Sequence, residues 1–241
     1  MSILNPSGAA PQVSAVRAFR ARVADETWPW AQDNAEEIAR HWQERIAQQP
    51  SLYDGRVLVA RELAIRDDVL ESRHVVVPFS ALLYWRDRAF PEAGACNAFG
   101  AAVVMSSDGA VLLGRMSAHT ANAGSIYFPA GTPDLGDVQG EKLDIEGSIL
   151  RELEEETGLG AGHLRPSEER WLVRDGAIAC CARRIDTDLS ARELADLTRA
   201  HLLREDEPEL DGIFLLRRRS EADPVAVPAY VRALLGELLP P

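Results

Sequence analysis

The chain has 241 residues and a formal net charge of −12, from 26 Lys or Arg residues and 38 Asp or Glu residues. This charge argues against binding to nucleic acid or to an anionic membrane, because both require clustered basic side chains. With 46% hydrophobic and 27% charged residues, the composition is typical of a soluble globular protein with its own core. We therefore predict no nucleic-acid partner and no membrane partner.

The cysteines and the N-terminal residues indicate a cytoplasmic protein. Cys96, Cys180 and Cys181 form neither a C-x-x-C pair nor an even framework. Cys180 and Cys181 lie in an apolar run, so we expect them to be buried thiols, which fits a reducing compartment. The opening "MSILNPSGAAPQVS" lacks the basic and apolar regions of a secretory signal. No stretch of 18 apolar residues is present, so we expect no membrane span.

The first part of the chain divides into a tail and an extension. Residues 1–12 are rich in Pro, Gly and Ser and predict a flexible tail. Residues 13–95 predict an α+β extension that packs on the core. It begins with a helix in "QDNAEEIARHWQERIAQQP", where Asp33 and Glu36 suggest a capping box and Pro50 ends the helix.

The rest of this extension alternates strand and helix signals. "LYDGRVLVARELAIRDD" predicts a strand entered through an Asp-Gly turn, and "HVVVPFSALLYWRD" predicts a strand followed by a helix that begins near Pro78. We find no repeat in this region. It could shape a substrate pocket, cover the sheet or form the interface of a homodimer, and the sequence does not choose among these.

Residues 96–241 predict a second, larger domain. Two β-branched runs flank "SSDG", and a second pair of runs turns at Asp175-Gly176, so we expect two hairpins. A short strand in "SIYFPAGTPD" and an acidic helix lie between them. The segments "SARELADLTRAHLL", "ELDGIFLLR" and "VPAYVRALLGELL" then predict helix, strand and helix. Because strands and helices do not alternate strictly, we predict an α+β fold with a mixed sheet.

The acidic helix carries the strongest chemical signal. In "GSILRELEEETGLG", Glu152, Glu155 and Glu156 stand at i, i+3 and i+4 and so project from one helix face. Gly158 falls where a helix-ending glycine belongs. Three convergent carboxylates are hard oxygen ligands of the kind that Mg²⁺ or Mn²⁺ prefers, and Arg151 could pair with one of them and fix its rotamer.

"RELEEETGL", residues 151–159, resembles the second half of the Nudix box, R-E-U-x-E-E-x-G-U, at every specified position. This resemblance to the Nudix hydrolase superfamily implies a Nudix-type α/β/α sandwich with a mixed sheet, preceded here by the N-terminal α+β extension. It also implies a pyrophosphohydrolase that cleaves the diphosphate bond between a nucleoside and another moiety.

The first half of the box, G-x5-E-x7-R, is less regular. Gly131 is followed after five residues by Asp137, and thirteen residues instead of seven separate Asp137 from Arg151. The six extra residues resemble a loop insertion through "VQGEKL". In an alternative register Glu141 takes the acidic position, with nine residues on either side. The G-x-x-E-x-G-E rhythm that starts at Gly131 favours Asp137.

The resemblance also assigns roles within the box. It implies Mg²⁺ (or Mn²⁺) as the cofactor, and it implies these metal ligands: Glu152, Glu155, Glu156 and the backbone carbonyl of Ala130, which stands where a glycine is common. Arg151 would orient the carboxylates. Gly131 would belong to the loop that approaches the diphosphate of the substrate.

Two further groups of residues lie outside the box. "LLREDEPELDG" supplies five acidic residues, of which we select Glu207 and Glu209 as a general base or an additional ligand. Upstream of the box, Arg115 is our candidate for substrate phosphate or sugar, and His119 and Asn122 are weaker ones.

We expect a small-molecule nucleotide substrate. The fragment "QQPSLYDGRVLVA" resembles the N-terminal part of Nudix nucleotide-sugar diphosphatases and slightly favours nucleotide-sugars. One alternative is a non-catalytic Nudix-fold module that senses a nucleotide, and another is an isomerase acting on a diphosphate ester. Retention of all three box glutamates favours the hydrolase.

Overall fold

The computed structural model describes residues 10–222 and 227–241. The strands in this part of the chain are β1 (Gln12–Val16), β2 (Ala18–Val23), β3 (Arg56–Arg66), β4 (Val69–Pro78), β5 (Asn97–Met105), β6 (Val111–Met116), β7 (Ile126–Tyr127), β8 (Ala130–Gly131), β9 (Val138–Gln139), β10 (Lys142–Leu143), β11 (Arg165–Asp175), β12 (Ile178–Asp186) and β13 (Leu210–Leu216). The α-helices are α1 (Pro29–Asp33), α2 (Ala35–Gln48), α3 (Phe79–Asp87), α4 (Ile145–Thr157), α5 (Ala191–Leu202) and α6 (Ala229–Leu238).

The main sheet has the strand order β1-β11-β12-β5-β6-β13, with β7 added beside β6 and β8 beside β5. The pairing of β12 with β5 is parallel and the other pairings are antiparallel, so the sheet is mixed. Both predicted hairpins are confirmed, since β5 leads into β6 and β11 into β12.

Helices cover both faces of this sheet. Along β5, Ala101 and Val103 face the cluster that contains Val231 of α6, whereas Ala102 and Val104 face the cluster that contains Ile149 of α4. This alternation follows from the two-residue period of a strand. The predicted α+β class, an α/β/α sandwich around a mixed sheet, is confirmed.

A second sheet has the order β3-β4-β2-β10-β9 and joins distant parts of the chain. Its strands β2, β3 and β4 lie between β1 and β5 in sequence, whereas β9 and β10 lie within the six extra residues of the box. Lys142 pairs with Arg22, and Leu143 pairs with Ala21. The insertion expected as a loop is therefore a short hairpin that continues a sheet.

The N-terminal residues differ from the sequence expectation in two places. The tail predicted over residues 1–12 lies mostly outside the described residues, and Gln12 already pairs with Arg174 in β1. The capping box at Asp33 is wrong. Asn34 precedes α2 and makes no side-chain cap, because the short helix α1 begins earlier, at Pro29, and Asp33 lies at its end.

Residues 12–95 take part in both sheets and in the core. Trp28 and Trp85 are almost fully buried and meet edge to face at 5.2 Å, and Trp30 stacks on Trp28 at 4.9 Å. The helix α3 packs against α2, β3 and β4. No helix in the described ranges is long and apolar enough to cross a membrane.

Candidate metal and diphosphate site

Helix α4 presents the box glutamates on one face and packs its apolar face against the core. The Asp144 side chain caps its start by accepting from the Gly147 N–H at 3.3 Å. Ile149 and Leu153 are fully buried in the core cluster shared with β5. Gly158 ends the helix in the left-handed conformation, with φ 71°. Its backbone also lies close to α5, because a Cβ at this position would be 2.7 Å from His201. The charged face is thereby fixed toward the end of α5.

The three glutamates line one cavity of about 240 Å³, which we call the acidic cavity. The remaining lining comes from the end of α5 and the loop before β13: His201, Leu202, Glu205, Glu207, Pro208 and Glu209. The side chain of Glu152 is 15% exposed and that of Glu155 is 59% exposed, whereas Glu156 is buried. Six carboxylates thus surround a space with no Lys or Arg in its lining.

Burial and crowding raise the pKa values of these carboxyl groups. Burial raises the pKa of Glu152 to about 7, despite the nearby Arg151. Burial, and then the charges of Glu209 and Glu152, raise the pKa of Glu156 well above its usual value. Burial and Glu155 also raise the pKa of Glu209, although its side chain keeps contact with solvent.

The carboxylate of Glu156 has no compensating partner. Neither of its oxygens makes a well-formed hydrogen bond within the described part of the chain, although the Ala130 N–H lies near enough to offset part of the pKa shift. A buried carboxylate without a partner is costly, and a bound cation is one of the few ways to offset that cost. The donor set at this point fits a hard divalent ion.

Arg151 occupies the edge of the site and contacts three acidic side chains. Its Nη1 lies 2.9 Å from Glu152 Oε1 and 2.9 Å from Glu155 Oε2, and its Nη2 lies 3.1 Å from Asp137 Oδ2. Asp137 is buried, whereas Glu141 is exposed in the turn of the β9–β10 hairpin. Of the two registers, the structure brings Asp137 to the box arginine.

Gly131 lies directly against the carboxylate of Glu152. A Cβ at this position would be 2.0 Å from Glu152 Cδ, which no side chain could tolerate without displacing the glutamate. The short strand β8 holds Gly131 opposite Gly100 of β5. The close approach of the backbone to this carboxylate therefore depends on glycine, and Gly131 also lines a second cavity.

The structure brings some of the other predicted residues to this site and leaves one outside. Glu207 and Glu209 both line the acidic cavity and, after burial, the charge of Glu209 is among the main causes that raise the pKa of Glu156. Arg115 lines neither this cavity nor the second one, because it pairs with Asp211 of the neighbouring strand at 2.5 Å. The backbone N–H of Ala130 lies near the Glu156 carboxylate. Metal binding by the Ala130 carbonyl stays a prediction.

No group of three or more His, Cys, Asp and Glu side chains among the described residues is already arranged to hold a metal ion. The reason lies in the ion pairs, because Arg151 draws Glu152 and Glu155 toward itself while Glu156 stays inside the cavity. Metal binding would therefore require Glu155 to exchange its contact with Arg151 for the ion.

The second cavity, of about 110 Å³, lies on the other side of Ala130 and Gly131, and we call it the aromatic cavity. Its polar lining includes Arg86 and Asn97, which sequence reasoning missed. Neither belongs to a motif. The available signal was a polar residue, Asn97, at the start of a buried β-strand, and this pattern is too common to be useful alone.

No family model matches the chain, and no curated protein matches it. Among solved structures, the MutT protein from Methanosarcina mazei Go1 is 20% identical over 58% of this chain and 91% of its own, with a TM-score of 0.39. The Nudix hydrolase RenU from M. smegmatis is 14% identical over 58% of this chain and 81% of its own, with a TM-score of 0.38. A NUDIX hydrolase from Nitrosomonas europaea is 16% identical over 60% of this chain and 93% of its own, with a TM-score of 0.34. The chain is thus similar to these proteins over somewhat more than half of its length, and we infer function from its own residues.

Proposed function

We propose that the chain is a Nudix-type pyrophosphohydrolase that uses Mg²⁺ or Mn²⁺ to cleave the diphosphate bond of a nucleoside diphosphate linked to another moiety. One observation carries this proposal. The box glutamates line a single cavity in which the buried Glu156 carboxylate makes no well-formed hydrogen bond with any described residue. The match of residues 151–159 to the box supplies the chemistry that such a site would perform.

Glu152, Glu155 and Glu156 would hold the divalent ion, and Glu209 is the nearest candidate for a further ligand or a general base. When bound, the ion neutralises charge on the phosphate groups and lowers the pKa of a coordinated water molecule. Arg151 pairs with Glu152 and Glu155 at the edge of the site, and its other contact, with Asp137, would keep it there when Glu155 turns to the ion.

The substrate proposal is a small-molecule nucleotide, with nucleotide-sugars slightly favoured. The resemblance of the N-terminal fragment supports a nucleotide-sugar. The second cavity, beside the acidic one, supports a nucleotide because it has room for one ring. Four statements stay predictions. They are a cytoplasmic location, the absence of nucleic-acid and membrane partners, a possible homodimer, and the division at residue 96 into an extension and a Nudix domain. Glu207 and Arg115 also stay predictions, and the geometry favours Glu209 over Glu207.

Turnover of a substrate panel tests this function. The protein is incubated with Mg²⁺ and UDP-sugars, ADP-ribose, NAD, coenzyme A or nucleoside triphosphates, and phosphate is measured after phosphatase treatment. We expect turnover of at least one diphosphate, and we expect Glu155→Gln and Glu156→Gln each to lower kcat at least about 100-fold, since even residues that only support metal ligands have effects approaching this size.

Glu154→Gln is the matched control. Glu154 lies on the same helix but is exposed and does not line the acidic cavity, so its amide variant should keep near wild-type activity. Tight binding of a nucleotide without turnover of any compound would contradict the hydrolase and support the sensing module.

A further inference from the structure

The aromatic cavity lies where the non-phosphate end of a substrate would reach. Gly131 lines it and also contacts the Glu152 carboxylate that faces the acidic cavity. Tyr127 lines it as well, and its hydroxyl has a raised pKa because of burial first and then the nearby charge of Glu156. A molecule with its diphosphate at the box glutamates could therefore place a ring here.

The shape and chemistry of the lining favour a flat aromatic ring. Aromatic side chains from four separate parts of the chain surround the space: Phe79, Phe90, Phe99, Tyr127 and Tyr230. Such side chains pack well on a planar π-system. The faces of these rings offer no hydrogen-bond partners to the hydroxyl groups of a sugar, and leaving such groups unpaired is costly.

The size of the cavity favours one six-membered ring. Its volume is about 110 Å³. A dry protein cavity of about 150 Å³ is known to hold benzene. The aromatic cavity is smaller than that one, so the smaller nucleobase, a pyrimidine, is easier to admit than a purine with its two fused rings.

The polar groups match the edge of a pyrimidine. Arg86 donates to Asp87 through Nε and Nη2 and to Asn122 through Nη1, which uses three of its five N–H groups. One N–H on each η nitrogen is left for the carbonyl oxygens of a base. Asn97 also lines the cavity, and its buried Oδ1 makes no hydrogen bond in the described residues, so a rotation of the amide toward the space would give the ring N–H of uracil an acceptor.

We infer that the aromatic cavity binds the pyrimidine base of the substrate, a uracil, and that Arg86 and Asn97 recognise the edge of that base. The inference rests on the proposed function for the position of the diphosphate. It assigns to residues outside the box the choice between uridine-based and adenosine-based substrates.

Binding and turnover of two substrates that differ only in the base test it. Isothermal titration with UDP and ADP measures binding, and kcat/KM for UDP-glucose and ADP-glucose measures turnover. We expect the wild-type chain to favour the uridine compound at least about tenfold in affinity and in kcat/KM. This is the discrimination that recognition of one chemical group typically provides.

Two variants alter the cavity in different ways. Phe99→Ala removes a ring from the wall and should lower the preference for UDP over ADP at least about fivefold by admitting the purine. Asn97→Leu keeps the side-chain volume but removes the acceptor, so it should weaken UDP binding and leave ADP binding unchanged. Phe214→Ala is the matched control, because Phe214 packs at the edge of the same core cluster but does not line the cavity. Thermal unfolding confirms that each variant is folded.

The outcomes separate this inference from the proposed function. Equal binding and equal turnover of the two bases, or a preference for ADP, would overturn the inference while leaving the hydrolase in place. A UDP preference that Phe99→Ala reduces, without any turnover, would support the inference and overturn the hydrolase. A preference unchanged in both cavity variants would overturn the inference.

Discussion

Glu156 carries two properties that rarely coincide in a carboxylate with a purely structural role. It is buried, and neither of its oxygens has a hydrogen-bond partner in the part of the chain that the structure describes. The nearby charges of Glu152 and Glu209 make its ionisation still less favourable. Such a residue costs stability, and active sites are where proteins retain such costs.

Replacing Glu156 by glutamine should therefore stabilise the metal-free protein. The amide keeps the shape of the side chain and removes the possibility of a buried negative charge, so we expect the Tm to rise by about 2–4 °C for each kcal/mol recovered. Differential scanning calorimetry in the presence of EDTA measures the change. Glu154→Gln, at an exposed position on the same helix, should leave the Tm unchanged. A lower Tm for Glu156→Gln would show that the charge is compensated.

Arg115 shows why single residues are hard to place from sequence. Its position shortly before the box made phosphate binding a reasonable expectation. In the structure, β6 and β13 are neighbours and Arg115 pairs in register with Gly212, so that Asp211 captures the guanidinium. This partner is nearly a hundred residues away in the chain. No local sequence pattern predicts this ion pair.

At the scale of elements, the acidic helix was the most predictable part of the molecule. Its charged face, its buried face and its terminal glycine all follow from the helical period and from local capping rules. The left-handed Gly158 also brings α5 close, since His201 Nε2 lies 2.9 Å from the carbonyl oxygen of Glu155. The end of α4 is therefore both a helix stop and a contact between two walls of the acidic cavity.

Two glycine-to-alanine variants test this dual role. Gly158→Ala forces a side chain into the left-handed region and against His201, so we expect a loss of about 1–2 kcal/mol in the free energy of unfolding, or more if His201 cannot shift. Gly236→Ala lies in α6 with open space around its Cβ, and it should gain about 0.5–1 kcal/mol. Urea unfolding followed by circular dichroism measures both. Equal effects of the two substitutions would contradict the assigned role of Gly158.

The box insertion was recognised in the sequence but its structure was not. Six residues can form only two very short strands, and nothing local distinguishes them from a loop. They become strands because β10 pairs with β2, which lies about 120 residues earlier in the sequence and was itself missed. The aromatic cavity was hidden for the same reason, as its walls come from helices and strands that meet only in the folded chain.

At the scale of the whole molecule, the N-terminal region is part of the folded core. Its strand β4 buries His74 completely, and burial lowers the pKa of that imidazole to about 4, with the Arg22 carbonyl offsetting part of the shift. The unfolded chain would bind a proton at His74 below about pH 6.5, whereas the folded chain would stay neutral. Stability should therefore fall as the pH is lowered through this window.

Comparison of the wild-type chain with His74→Leu isolates this contribution. Between pH 7.5 and pH 5 we expect the wild type to lose about 2 kcal/mol more in the free energy of unfolding than the variant does. Glu152, with its pKa raised to about 7, acts in the opposite sense in both proteins, so the difference between them is the informative quantity. His163→Gln, at an exposed position, should behave as the wild type. Parallel pH profiles for wild type and His74→Leu would contradict a buried neutral imidazole.

The most direct measurement is the position of Mn²⁺ in crystals of the protein. Crystals of the wild type and of Glu155→Gln/Glu156→Gln, soaked in MnCl₂, are measured on both sides of the manganese absorption edge. We expect an anomalous peak in the acidic cavity beside Glu152, Glu155 and Glu156 in the wild type, and its loss in the double variant. The absence of a peak at these carboxylates, or an unchanged peak in the double variant, would contradict a divalent-metal site on this helix.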